Sequence, residues 1–182
     1  LAYNGTLRVP LIVFVPGGGG GGRRAGVVSH IDIFPTVCDL LAVEKPSFLQ
    51  GASLVPLMEG KDAPPRALYF ESLYPYYSRG WAPLTGFIEG GDKFIESPIP
   101  ELYDIVSDPG EMENKAQAGQ LGVFRRRLAG LVSAGSDAAA GRAAAASDRA
   151  TRNRLGSRGY ISGAGAPRKT AFTPADDVKT LL

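Results

Sequence analysis

The residues best suited to chemistry lie in an aromatic segment, Tyr74–Trp81, which combines three tyrosines, one tryptophan and Arg79. Aromatic rings beside a guanidinium favour stacking on a sugar or aryl group together with contact to an anionic group. We therefore predict that Tyr77, Arg79 and Trp81 lie on a loop at the mouth of a pocket and contact substrate. The alternative is that these side chains pack a small sheet against the main domain.

Two other residues are candidates for the same role. His30 is the only histidine and precedes a predicted helix; a lone histidine in that position is more often structural than a ligand or a base. Lys93 lies at the edge of a predicted hairpin, where we expect a solvated amine, with binding of an anionic substrate as the alternative. The candidate substrate-binding residues are thus Tyr77, Arg79, Trp81, Lys93 and His30.

Several familiar site chemistries find no support in the sequence. Cys38 is the only cysteine, so it forms neither an intrachain disulfide nor a paired-thiol metal site, and its apolar helical context predicts a buried small hydrophobe. The run Gly17–Gly22 satisfies a nucleotide-binding glycine pattern only because a homopolymer satisfies every such pattern, and an expanded flexible loop explains it better. Asp32 is better explained as a helix cap than as a metal ligand. We predict no catalytic and no metal-ligating residue in this chain.

The elements that would position these side chains read as a mixture of helices and strands. Leu7–Val15 is apolar on both faces and predicts a strand buried in a helix-covered sheet. Ile31, Phe34, Val37, Cys38 and Leu41 recur at helical spacing and predict a short helix with that face in the core, followed by a brief helical turn around Leu54–Met58. Four short strands are predicted at residues 66–71, 84–88, 93–95 and 101–105, with a hairpin turn at Gly90-Gly91 and a tight turn at Asp108-Pro109-Gly110.

Composition divides the chain into two parts. The first, residues 1–133, ends with an amphipathic helix marked by Leu121, Phe124, Leu128 and Leu131, with Arg125–Arg127 on its wet side. The second, residues 134–182, is rich in Ala, Gly and Arg and predicts a linker or flexible tail, with docking points at Leu155–Ile161 and Asp176–Leu182. The formal charge of +2 over 182 residues and the scattered arginines argue against nucleic acid. No apolar run approaches the ~20 residues that cross a bilayer.

Four blocks in a fixed order resemble the C-terminal part of type I sulfatases of the alkaline-phosphatase superfamily. They are Asn4-Gly-Thr-Leu-Arg-Val-Pro-Leu-Ile-Val13 with Pro16-Gly17, then His30-Ile-Asp-Ile-Phe-Pro-Thr36, Gln50-Gly-Ala-Ser-Leu-Val-Pro-Leu-Met-Glu-Gly60, and Glu101-Leu-Tyr-Asp104 with Asp108, Pro109, Glu111 and Asn114. Together they span roughly residues 3–116. The segments Tyr77–Leu84 and Lys93–Ile95 further resemble a bacterial subgroup in which helical repeats follow the sulfatase part.

The resemblance implies an α/β fold: part of an alkaline-phosphatase-like mixed sheet, a small C-terminal antiparallel subdomain and a flexible tail. It implies a parent enzyme that hydrolyses sulfuric esters of small molecules or glycans with a formylglycine nucleophile and a divalent cation, calcium in the usual case. It also implies a periplasmic or exported protein. The chain starts at Leu1 with no signal segment, and we expect it to be a piece of a longer protein.

The family's catalytic motifs are not matched. Formylglycine arises within (C/S)-x-P-x-R, whereas Cys38 stands in Cys-Asp-Leu-Leu-Ala, and Asp176-Asp177 is misplaced for the family's metal-binding pair. No family catalytic residue is carried over, and this chain alone is expected to be inactive. Two alternatives stay open: a phosphodiesterase or phosphonate hydrolase of the same superfamily, and a non-catalytic remnant or interaction module. Exposed apolar surface at Leu11–Val15 would mark the remnant.

Overall fold

The computed structural model describes residues 2–18, 21–62, 64–140 and 169–181 as helices, strands and connecting segments. The α-helices are α1 (Asn4–Leu7), α2 (Ile33–Leu40), α3 (Val55–Met58), α4 (Tyr74–Arg79), α5 (Leu121–Ala140) and α6 (Val178–Leu181). The strands are β1 (Leu68–Ser72), β2 (Leu84–Glu89), β3 (Asp92–Glu96) and β4 (Glu101–Asp104). Short 3₁₀ helices, His30–Asp32 and Pro174–Asp176, precede α2 and α6.

The four strands form one antiparallel sheet in the order β1-β2-β3-β4, as the sequence predicts. The β2–β3 turn pairs Glu89 with Asp92 and places Gly90 and Gly91 at φ 61° and 101°. Two consecutive positive φ angles suit the two-residue hairpin turn, which only residues without a Cβ adopt readily. The tight turn at Asp108 is confirmed by the hydrogen bond from the Glu111 amide to the Asp108 carbonyl, 3.1 Å.

The sheet has two covered faces, because alternate residues of a strand point to opposite sides. One face carries Phe87, Phe94 and Leu102 and packs against Leu121 and Leu128 of α5. The other face carries Leu84, Ile95 and Tyr103 and is covered by Ala2 and Val178, from the two ends of the described chain. The antiparallel sheet therefore lies between α5 and the chain termini.

The predicted buried strand at Leu7–Val15 is wrong for this structure. After α1, residues 8–15 belong to no helix or strand, and Ile12 and Phe14 are 90% and 85% exposed. A strand that is apolar on both faces becomes buried only between sheet neighbours and covering helices. In the described residues no strand pairs with this segment, so its apolar side chains stay uncovered.

Helix α2 forms where predicted, but the predicted core face is wrong except at Cys38. Pro35, Thr36 and Cys38 are buried. The exposed large apolar residues of this region are Ile31, Ile33, Phe34, Val37, Leu40 and Leu41. The predicted spacing identified the apolar side of the helix, and that side has no covering element among the described residues. The buried side instead faces the segment that leads into α3.

A buried carboxylate ties α2 to the rest of the chain. Asp32 is fully buried and accepts hydrogen bonds from the amides of Ser29 (2.8 Å) and Ala52 (2.9 Å). The Arg66 guanidinium donates to both carboxylate oxygens. The predicted cap is confirmed in a modified form, since Asp32 caps the 3₁₀ helix through Ser29 and not α2. Both carboxylate oxygens of Asp32 therefore accept hydrogen bonds that hold neighbouring parts of the fold together.

The same junction also depends on a close contact between Gly51 and the 3₁₀ helix at Ile31. A Cβ built on Gly51 would lie 2.0 Å from the Ile31 carbonyl oxygen, so only glycine fits there. Thr36 completes the junction: its hydroxyl donates to the Asp32 carbonyl (2.5 Å) and accepts from the Leu54 amide (2.8 Å). The second and third sequence blocks are therefore joined to each other by backbone proximity and hydrogen bonds.

The aromatic segment predicted as a loop is a helix for most of its length, namely α4. Pro75 lies in its first turn, and Gly80 ends it in the left-handed conformation at φ 69°. Proline at a helix start and a left-handed glycine just past its end are established helix-terminus signals. The aromatic composition of the segment led to the prediction of a loop, although both helix-terminus signals are present in its sequence.

Helix α5 confirms the predicted amphipathic helix and runs beyond residue 133 to Ala140. Arg125 and Arg127 lie on its exposed side and pair with Glu96 and Glu89 of the sheet. The division at residue 133 stays a prediction, and Leu155–Ile161 lies outside the described residues. Within the described ranges, none of the helices combines the length and the apolar character that crossing a membrane needs.

We predict that Gly51→Ala destabilises the chain by about 1–3 kcal/mol, since a methyl group would meet the Ile31 backbone and force it to move. Urea denaturation followed by circular dichroism measures the change in free energy of unfolding. Gly119→Ala is the matched control, because a Cβ there meets nothing within 4 Å. Equal midpoints for the two variants would contradict the close approach.

We also predict that Asp32→Asn removes a pH-dependent part of the stability. Burial alone would raise the pKa of the Asp32 carboxyl, but the Arg66 guanidinium and the Ser29 and Ala52 amides outweigh it and hold that pKa below its usual value. Because the folded-state pKa is depressed, the stabilisation is fully present above about pH 5 and is lost as pH falls through about 4 and below. At pH 7 the variant should lose about 3 kcal/mol.

The measurement is the free energy of unfolding of both proteins between pH 7 and pH 3. The difference between the wild type and Asp32→Asn should shrink as pH falls. Asp62→Asn, at an exposed aspartate, serves as the control and should track the wild type. A wild-type-to-variant difference that is constant with pH would exclude an ionised Asp32 as the stabilising group.

Candidate functional site

Two of the five predicted site residues are in direct contact. The Arg79 guanidinium carbon lies 5.0 Å from the centroid of the Trp81 ring, within cation–π range. Arg79 is exposed at the end of α4, and in the described part of the chain no carboxylate pairs with it. Arg79 is therefore both exposed and in contact with the Trp81 ring. This pair, with Tyr77, forms what we call the rim of α4.

Tyr77 belongs to the same short helix and is half exposed. Its ring lies 5.2 Å from that of Tyr76, which in turn packs edge-to-face on Phe172 at 5.9 Å. Tyr74, at the helix start, is 77% exposed. Tyr74 and Tyr77 are thus accessible on α4, whereas Tyr76 packs against Phe172. Contact of the rim with a substrate stays a prediction.

Lys93 lies in a different environment from the one expected, and the interpretation as a solvated amine is wrong. Its side chain is fully buried on the sheet face that carries Tyr103, and its amine donates to Glu111. The rings of Phe70 and Tyr3 lie 5.6 and 5.9 Å from the amine. Burial lowers the pKa of Lys93 more than the Glu111 carboxylate raises it. The alternation of strand side chains directs this residue inward.

His30 lies at the exposed start of the 3₁₀ helix and not on the rim. Its neighbour Asp32 carries the structural contacts of that turn. The structure therefore places Tyr77 and Arg79 on α4 with Trp81 just after it, and places His30 and Lys93 on two other elements.

A buried polar cluster was missed by sequence reasoning. The Glu101 carboxylate accepts hydrogen bonds from the phenols of Tyr3 (2.8 Å) and Tyr103, and from the amine of Lys179 (2.7 Å). Burial, and then the hydrogen bond to Glu101, raise the pKa values of Tyr3 and Tyr103 well above the usual range. Both phenols are therefore neutral and donate to the Glu101 carboxylate. The only sequence signal was the Glu-Leu-Tyr-Asp block itself.

The remaining residues of the fourth block are also structural. Glu111 accepts from Lys93 and from the Asn4 amide (2.6 Å), so it joins the first and fourth blocks. Asn114 accepts from the amides of Leu102 (3.0 Å) and Ala116 (2.9 Å) through one side-chain oxygen. These hydrogen bonds fix the return of the chain after β4.

The donor groups of this chain do not fit the cofactors that the sequence resemblance implies. In residues 2–18, 21–62, 64–140 and 169–181 no three His, Cys, Asp or Glu side chains come together as a metal site. Cys38 is buried in α2 without a second thiol. No reaction step through a metal or a formylglycine can be derived on these residues.

Comparisons with known proteins give the family. Residues 1–132 match the family described as N-sulphoglucosamine sulphohydrolase, C-terminal. Human arylsulfatase K is 30% identical over 130 residues, covering 63% of this chain and 23% of that protein. The N-acetylglucosamine-6-O-sulfatase of Bacteroides thetaiotaomicron is 31% identical over 121 residues, covering 62% and 22%. The chain thus spans less than a quarter of the length of these relatives.

Solved structures give weaker similarities. BT4656, in complex with its substrate D-glucosamine-2-N,6-O-disulfate, has a TM-score of 0.46 and 28% identity, covering 62% of this chain and 24% of that one. The phosphonate monoester hydrolase of Agrobacterium radiobacter has a TM-score of 0.42 and 26% identity, covering 59% and 24%.

The sulfatase resemblance is confirmed by the family match and by the curated relatives. The helices and the antiparallel sheet are those of a partial α/β fold. The chain belongs to the family of the N-sulphoglucosamine sulphohydrolase C-terminal region and is a C-terminal part of a type I sulfatase.

Proposed function

We propose that this chain is the architectural C-terminal part of an exported enzyme that hydrolyses sulfuric esters. The family match supports the reaction class. The single structural observation that carries the proposal is the exposure of the apolar side chains of residues 8–15 and of the outer side of α2. In a strand, Val9, Leu11 and Val13 would alternate with Ile12 and Phe14, so both sides of this segment suit a central position in a sheet. The occupant we assign to this surface is the remaining sheet of the sulfatase domain.

The same exposed surface was the expected signature of a non-catalytic remnant. A remnant that functions alone would need a way to keep these side chains from aggregating, because extended apolar segments without partners template association. The blocks around the segment argue for the enzyme part, since Glu111 holds α1, directly before the segment, and Asp32 and Gly51 hold the start of α2, further along the chain. That precision is expected of a segment that must enter a sheet in register.

The chemistry of the whole enzyme would come from residues outside this chain. A formylglycine nucleophile and a divalent cation, which we propose to be calcium, supply attack on sulfur and neutralisation of charge in such enzymes when both are present. This chain would add the rim of α4, where Arg79 offers a cation to a sulfate or carboxylate and Trp81 stacks beneath it. The substrate class that this chemistry suits is a sulfated sugar or aryl sulfate.

The first test is to sequence the source gene upstream of Leu1, express the extended reading frame and assay it with p-nitrophenyl sulfate. We expect hydrolysis by the extended protein and none by residues 1–182 alone. The control is the extended protein with the Cys or Ser of its (C/S)-x-P-x-R motif changed to Ala, which should be inactive. A frame that begins at Leu1, or an extension without such a nucleophile, would contradict a sulfatase; a Thr or Ser nucleophile in its place would support phosphoester hydrolysis.

A second test concerns the rim in that extended enzyme. Arg79→Met and Trp81→Ala should each raise KM for a sulfated saccharide by about tenfold, from the loss of roughly 1–2 kcal/mol of cation–π and stacking energy, with kcat little changed. Arg126→Met removes an exposed arginine from α5 and is the matched control. Rim variants that match this control would show that the aromatic segment serves packing alone.

A further inference from the structure

The segment Lys169–Leu181 lies beyond residues 1–132, which match the family, and yet it is packed against the family's sheet. It contains the 3₁₀ helix Pro174–Asp176 and α6. A reciprocal cap holds its start, because Asp176 accepts from the amide (2.8 Å) and hydroxyl (3.0 Å) of Thr173. The segment therefore has a defined shape at the point where it meets the sheet.

The acidic residue of this segment is held by the connection between β3 and β4. Asp177 is fully buried. One carboxylate oxygen accepts from the Ser97 hydroxyl (2.8 Å) and from the Ile99 amide (2.9 Å). The other oxygen accepts from the amide of Lys179 (3.0 Å) within the segment itself. A buried carboxylate that meets three donors is a recognised group and not a solvated side chain.

The basic residue two positions later is held by the same connection. The Lys179 amine donates to the Ile99 carbonyl (2.6 Å), to the Glu101 carboxylate (2.7 Å) and to the Ser97 hydroxyl (3.2 Å). All three donors of an ammonium group thus have partners. Between the two charged residues, Val178 is buried in the apolar cluster with Leu84, Ile95 and Tyr103.

The segment also contacts the rim. The Asp176 carbonyl accepts from the Ala82 amide at 2.9 Å, directly after Trp81. Phe172 packs edge-to-face on Tyr76 of α4 at 5.9 Å. Trp81 itself packs against the apolar cluster that contains Val178. The segment thus contacts the region of the rim at Tyr76 within α4 and at Ala82 after it.

We propose that Ser97, Ile99 and Glu101 form a peptide-binding site for an Asp-x-Lys sequence with a small apolar residue in the middle, and that Asp177-Val178-Lys179 of the same chain occupies it. The Ser97 hydroxyl and the Ile99 amide bind the aspartate side chain of this sequence. The Ile99 carbonyl and the Glu101 carboxylate bind its lysine side chain. Its occupancy positions α4 and the rim. This holds whatever the rim binds, so the site can be tested without any substrate.

The test uses the full chain with Asp177→Asn and Lys179→Met combined. Hydrogen exchange of the Ile99 and Ala82 amides should become at least about tenfold faster, because the segment that supplies both acceptors, the Asp177 side chain and the Asp176 carbonyl, should detach. Trp81 is the only tryptophan, so its emission should shift to longer wavelength as the cluster opens. Lys115→Met, at an exposed lysine, is the matched control. Protection of the β2 and β3 amides reports that the fold is kept; where the double variant loses it, Lys179→Met alone takes its place.

A synthetic peptide of residues 169–182 then probes the vacated site. We expect it to restore slow exchange at Ile99 in the double variant, whereas a peptide with the same two substitutions binds at least about tenfold more weakly. Unchanged exchange at Ile99 and Ala82 in the variants, or equal binding of the two peptides, would overturn the proposal. A wild-type dimer that the substitutions convert to a monomer would show that the segment binds a second copy, which overturns the assignment to the same chain.

Discussion

The arrangement of this chain depends on one buried carboxylate, Glu101, at the start of β4. It accepts hydrogen bonds from Tyr3, Tyr103 and Lys179, which come from the first residues, the sheet and the last described segment. A buried carboxylate without donors would cost several kcal/mol, so these three parts of the chain are held together by the need to satisfy it. Lys93 and Glu111 form a second buried pair on the same sheet face. The first residues and the last described segment therefore cover this face of the sheet, and α5 covers the other.

The blocks that identify the family are structural for the same reason. Asp32 joins α2 to Arg66, Gly51 lets two backbone segments touch, Glu111 holds the Asn4 amide, and Asn114 fixes the chain after β4. Each residue is demanded by a close approach or by a buried partner. The described residues of the family blocks therefore serve to hold neighbouring segments in position, and we propose that the chemistry resides elsewhere in the enzyme.

Much of the small sheet could be predicted from the sequence, because its signals are local. Gly90-Gly91 between two apolar runs predicts the hairpin, and the alternation along β2 and β3 predicts two faces. The failures concern contacts between distant residues. The position of Lys93 at the edge of the hairpin predicts a solvated amine, but the amine is buried and pairs with Glu111, 18 residues further along the chain. The apolar pattern of residues 8–15 predicts a strand buried in a sheet. None of the described strands pairs with these residues.

The candidate site divides in the same way. Arg79 and Trp81 could be identified as candidates from the composition of their segment. Helix α4, which ends at Arg79, was not predicted, although Pro75 and Gly80 mark its two ends. The role of Lys179 could not be predicted, since nothing local links it to Glu101, 78 residues away. Spacing in the sequence therefore identifies residues that are neighbours within one element. It does not identify contacts between segments that are distant along the chain.

The central claim is that the uncovered segment at residues 8–15 is a strand awaiting the remaining sheet of a sulfatase domain. Hydrogen exchange of the Leu11, Val13 and Val15 amides tests it most directly, compared between residues 1–182 alone and the extended protein encoded by the source gene. The account predicts rapid exchange in the isolated chain and strong protection in the extended protein, with the β2 and β3 amides protected in both. Equally rapid exchange of the three amides in both proteins would contradict it.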